Sequence, residues 1–128
     1  MTNYDLEEAD LIKKQIGLSF LFLLTLFVSL TLSYNELLKY QNKPPLYTKE
    51  AEEAVLVVNR TLALLIALGF LWINIQDKQV KKQYNQGDMQ NANLQIDASA
   101  ITLIATAIVL YVALSDRNQS TNIENPEI

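Results

Sequence analysis

The sequence predicts an all-α membrane protein with three transmembrane helices, the second and third forming an antiparallel hairpin with polar stalks beyond the bilayer. Two observations carry this. Charge is absent from long stretches of the 128 residues: 21 residues between Lys14 and Glu36 have none, 23 between Glu53 and Asp77 have only Arg60, and 18 between Asp97 and Asp116 have none. Each run is close to the ~20 residues that cross a bilayer core. Turn and cap signals also fall between these runs and not within them. The length allows one domain: residues 1–115 as a three-span unit, and 116–128 as a flexible polar tail rich in Asn, Ser and Thr.

The first helix opens at Thr2 or Asn3 as cap, with Asp5, Glu7 and Glu8 where the helix dipole favours acids. It continues into the first span, residues 16–34, which holds seven Leu and three Phe. Such a segment is apolar on every face, and a chain this short has no core that can surround it. The acids before Lys13 and Lys14, and a run longer than a signal peptide's apolar region, argue for a retained span and not a cleaved leader. Pro44 and Pro45 break the helix after Tyr40. Thr48 caps the next, with Glu50, Glu52 and Glu53 in its first turns, leading into the second span, residues 54–75. Gly87 suits a helix end and Asp88 a new cap. The third span is expected at 98–114, with Val80 and Tyr84 meeting Leu94 and Ile96 where the stalks touch.

Lys and Arg near the spans number five on the N-terminal side (Lys13, Lys14, Lys78, Lys81, Lys82) and four on the other (Lys39, Lys43, Lys49, Arg117). The positive-inside rule then places the N-terminus in the cytoplasm, with a bacterial cell membrane as the expected location.

Composition narrows the chemistry. Without His or Cys there is no Ser-His-Asp or Cys-His arrangement, no thiolate nucleophile and no His or Cys metal ligand. No phosphate-binding glycine motif occurs, and a net charge of -4 without a basic tract argues against a nucleic-acid partner. No cofactor, metal or catalytic residue is expected.

The structural and interaction candidates are Arg60, Asn59, Asn74, Glu36 and Asp116. Arg60 is the one ionisable residue within a span. It is expected near the Glu36 and Asp116 end, paired to one of those carboxylates or reaching back to the interface. Asn59 and Asn74 belong to rows of small and polar residues expected to pack helices together: Gly17, Leu21, Thr25, Ser29 and Ser33 in the first span, Asn59, Ala63, Ala67 and Asn74 in the second, and Ala98, Thr102, Ala105, Thr106 and Ala113 in the third.

The function expected is contact without catalysis: an accessory, regulatory or immunity-type subunit. Its partners would be the lipid bilayer and other membrane subunits or further copies of itself. In gross layout (short length, three spans, polar tail) the chain resembles small three-span phage holins. That resemblance covers architecture and no motif, and it implies the alternative of a homo-oligomeric, membrane-permeabilising pore.

Overall fold

The computed structural model describes the backbone of residues 1–123 and the side chains of residues 1–117. It holds three α-helices: α1 (Asn3–Tyr40), α2 (Lys49–Gln83) and α3 (Met89–Ile123). All three are long and apolar enough to cross a membrane, with peak mean hydropathies of 2.2, 2.2 and 2.1. At ~1.5 Å per residue each exceeds the ~30 Å of a bilayer core. The α3 backbone continues into the segment expected as a flexible tail; residues 124–128 lie outside the described residues.

Local chemistry sets the helix ends. Thr2 and Asp5 form a reciprocal capping box, each side chain accepting from the other's backbone N–H. Thr48 caps α2 by accepting from Ala51 N–H, and Asp88 opens α3 by accepting from Gln90 N–H. α1 stops at Asn42, whose φ of 56° lets Lys43 N–H bond back to the Leu38 carbonyl. α2 stops the same way at Asn85, φ 55°, with Gln86 N–H on the Lys81 carbonyl. Gly87 does take a positive φ of 73°, but it lies in the turn, and Asn85 makes the stop.

Packing runs along every seventh residue. The line on α1 is Leu11, Leu18, Thr25 and Leu32; on α2 it is Asn59, Ile66 and Ile73; on α3 it is Ala92, Ser99, Thr106 and Ala113. All are buried except Leu18, Ser99 and Thr106, which are half-buried. This corrects the row expected on α1. Gly17 and Ser33 are exposed, and a Cβ on Gly17 would meet nothing within 4 Å. Steps of four residues drift ~40° around a helix, whereas steps of seven drift only ~20°. A long row of fours therefore rotates off the contact, keeping Thr25 and Ser29 but losing its ends. The close approach belongs to Gly69, where an added Cβ would lie 2.8 Å from Leu18 Cδ1.

α2 packs on both α1 and α3, but among the described residues α1 and α3 do not come within 8 Å, Cα to Cα. The helices thus form an open layer with α2 in the middle. The Tyr84 ring meets Tyr4 of α1 edge-on at 5.7 Å, and Leu94 is exposed.

Candidate functional site

Polar side chains are gathered at four levels along α2. Near the start of α2, Asn35 of α1 is the most deeply buried side chain, with no exposed surface. Its Oδ1 accepts from Tyr47 N–H at 3.0 Å, and its Nδ2 donates to Glu52 Oε2 at 2.5 Å. Lys39 bonds to the same Glu52 oxygen and sits 3.6 Å from Glu36. Thr31 Oγ1 and the Tyr47 hydroxyl share a hydrogen bond of 2.9 Å. The loop between α1 and α2 is thereby tied to α1. Burial pushes the Glu52 carboxyl up, but bonds from Lys39, Glu36 and Asn35 outweigh it and hold it below the usual range. Glu36, hydrogen-bonded to Glu52 and partly desolvated, is raised.

Within the apolar run, Asn59 is buried and donates from Nδ2 to the Thr25 carbonyl at 3.2 Å and to Ser29 Oγ at 3.1 Å. Asn74 does the same toward α3, donating to Ser99 Oγ and, at 3.5 Å, to the Gln95 carbonyl. One amide thus fastens α1 to α2, and the other fastens α2 to α3. Arg60, next to Asn59, is half-buried and forms no ion pair with Glu36 or Asp116 among the described residues. Glu36 faces Lys39 instead, and Asp116 is exposed.

At the opposite end of α2 a second charged group forms. Lys81 Nζ lies 2.8 Å from Asp77 Oδ2 and 3.9 Å from Glu8 Oε1. The Tyr4 hydroxyl donates to Glu8 Oε1 at 3.2 Å. Glu8 Oε2 is buried and, among the described residues, has no hydrogen-bond partner. Burial, then the neighbouring Asp77 carboxyl, push the Glu8 carboxyl up from 4.5 to about 7. Lys81 is raised, chiefly by its bond to Asp77. Nearby, Lys14 stands over the Trp72 ring at 5.2 Å and pairs with Asp10 at 2.9 Å.

This charged group closes one end of a cavity of about 680 Å³ between α1 and α3, floored by α2. The cavity wall is apolar at Leu11, Phe22, Ile66 and Phe70, and polar along α3 at Gln95, Ser99 and Thr102. Among the described residues no group of three or more acidic side chains is placed to hold a metal ion.

Sequence reasoning had singled out Asn59 and Asn74 but not Asn35 or the Glu8, Asp77 and Lys81 group. Glu8 reads as an ordinary acid of a helix start until Tyr4 and Leu11 are seen on the same packed face. A comparison with known proteins finds no matching family model, no matching curated protein and no matching solved structure.

Proposed function

We propose that the chain is a small multi-pass membrane protein that acts through helix–helix contacts, as an accessory, regulatory or immunity-type subunit, and carries out no catalysis. In this reading it crosses the bilayer at about residues 16–34, 54–75 and 98–114. α2 and α3 form an antiparallel hairpin with polar stalks beyond the membrane, and the N-terminus lies in the cytoplasm of a bacterial cell. Arg60 serves insertion and assembly by reaching back toward the interface, since the uncharged run from Thr61 to Gln76 covers only ~24 Å of a ~30 Å core.

The observation that supports this reading most is how little of each apolar run the chain itself buries. Only 6% of the spanning window of α3 is buried, against 11% in α1 and 17% in α2. Ile101, Ile104, Ile108 and Tyr111 all face outward from α3. In lipid such a face is free to take another helix without loss of hydrophobic driving force. The polar α3 wall of the cavity, Gln95, Ser99 and Thr102, favours the alternative of a self-assembled, holin-like pore.

Affinity purification of the full chain in mild detergent, followed by native mass spectrometry, tests the first reading. A membrane protein retained at fixed stoichiometry is the expected result. Self-oligomers that release dye from vesicles would replace it with the pore. Single cysteines at Asn3 and Asn122 should label from opposite membrane faces, and labelling from one face refutes three crossings.

A further inference from the structure

The Glu8, Asp77 and Lys81 group is one positive charge short. Two carboxylates face one ammonium, and among the described residues the remaining buried oxygen, Glu8 Oε2, has no donor. Among the described residues, the ionisable groups that act most strongly on Glu8 are Tyr4 on its own helix, and Asp77 and Lys81 on α2. The α3 side of the cavity offers Gln95, Ser99, Thr102 and Thr106, none of them titratable. Beyond the charged end the cavity continues between Leu11, Phe22, Ile66, Ala67 and Phe70, an apolar slot bounded by all three helices. A charged end that lacks a cation and an apolar body behind it define a complementary shape and charge.

We propose that this cavity is a binding site for a single-chain cationic amphiphile, with its ammonium at Glu8 and Asp77 and its alkyl chain lying along the slot floored by Ile66 and Phe70. A primary ammonium supplies the missing charge and donates to Glu8 Oε2. The alkyl chain gains burial against α1 and α2. Zwitterionic phospholipids fit less well, because the phosphate beside their amine brings back a negative charge. In the empty site a proton fills the same deficit, shared between Glu8 and Asp77, which accords with a Glu8 carboxyl raised to about 7. The ammonium therefore competes with that proton. The site asks nothing of a protein partner and stands apart from the contact function proposed above.

The test uses the full chain in phosphatidylcholine nanodiscs, with radiolabelled dodecylammonium below its micelle concentration and empty nanodiscs subtracted. Saturable binding of one dodecylammonium per chain is expected, at least tenfold tighter than binding of dodecanol or lysophosphatidylethanolamine. Affinity should rise about tenfold from pH 6 to pH 8 as the proton leaves a group titrating near 7, while the alkylamine stays charged. Glu8→Gln, which removes charge and keeps shape, should lose that tenfold and flatten the pH profile. Ala63→Phe, which fills the slot without touching the charges, should weaken binding at every pH. Equal binding of dodecanol or lysophosphatidylethanolamine, or unchanged binding by Glu8→Gln, overturns the proposal. Loss of binding by Ala63→Phe alone, with Glu8→Gln indistinguishable from the parent, would reduce the cavity to an acyl-chain groove and overturn the charge argument.

Discussion

Replacing Asn35 by alanine should be among the most damaging single changes outside the apolar runs. Its side chain is fully enclosed and serves two elements at once: the loop before α2, through Tyr47 N–H, and α2 itself, through Glu52. Truncation leaves the Tyr47 amide without its acceptor, which costs ~1–3 kcal/mol when the group is kept from water. It also removes a donor from a charged acceptor, typically ~1.5–3 kcal/mol. Lys39 still bonds to the same Glu52 oxygen and offsets part of that second loss. A net destabilisation of ~2–4 kcal/mol follows. Asn35→Asp separates the two contributions: its carboxylate can still accept from Tyr47, but it faces Glu52 with like charge. Reversible unfolding in mixed micelles of dodecyl sulfate and a mild detergent measures the loss, and amide exchange at Tyr47 reports the loop directly. An Asn35→Ala chain within ~0.5 kcal/mol of the parent, with Tyr47 exchange unchanged, would refute the reasoning.

Asn59→Ala should weaken the α1–α2 pairing by ~1–2 kcal/mol, given ~0.6 kcal/mol for an average interhelical bond in lipid and two such bonds here, read by the same unfolding assay. Gly69→Ala should cost little, because the end of the Leu18 side chain can turn away, whereas Gly69→Leu should separate α1 from α2 and abolish a disulfide cross-link engineered between Tyr4 and Tyr84 positions. Glu8 is an acid raised in the folded chain, so the folded state holds the proton more tightly. The Glu8 contribution to stability of the α1 end should be fully present below pH 4.5 and be lost as pH rises through about 7, by at most ~3 kcal/mol, and Glu8→Gln should remove the dependence in cross-linking at graded pH. Arg60→Leu should leave membrane insertion intact or improve it, because an arginine costs ~2.5–3.5 kcal/mol at mid-bilayer; alkaline extraction of membranes checks this.

The three long apolar helices, the caps at Thr2 and Thr48, and the break at Pro44 and Pro45 were legible in the sequence because each depends on a few neighbouring residues. Asn59 and Asn74 were legible as polar exceptions in apolar surroundings. The packed face was harder. Rows of small residues suggest steps of four, but the contact follows Leu11, Leu18, Thr25 and Leu32, of which three are plain leucines among many. Nothing in the composition distinguishes a leucine that meets a helix from one that meets lipid. Asn35 and Glu8 lie in polar segments, where an amide or an acid is unremarked, and their roles depend on Glu52 and Lys81, distant in the chain. Asn85 took the stop expected near Gly87 because a left-handed asparagine serves a helix end nearly as well as glycine does.

That α2 alone touches both neighbours bears on how the chain is made. Every bond between α1 and α2, from Asn35–Glu52 to Glu8–Lys81, involves residues synthesised before α3 begins at Met89. At ~5–20 residues per second the first two helices have seconds in which to pair before the third leaves the ribosome. α3 then docks on a finished surface through Asn74 and need not wait for α1. Damage at Asn59 and at Asn74, ~22 Å apart along one helix, should therefore add without coupling. A chain whose first two helices have left the ribosome while α3 is still inside it should already carry a paired two-helix intermediate, with the apolar floor of the slot at Ile66 and Phe70 uncovered until the last helix arrives.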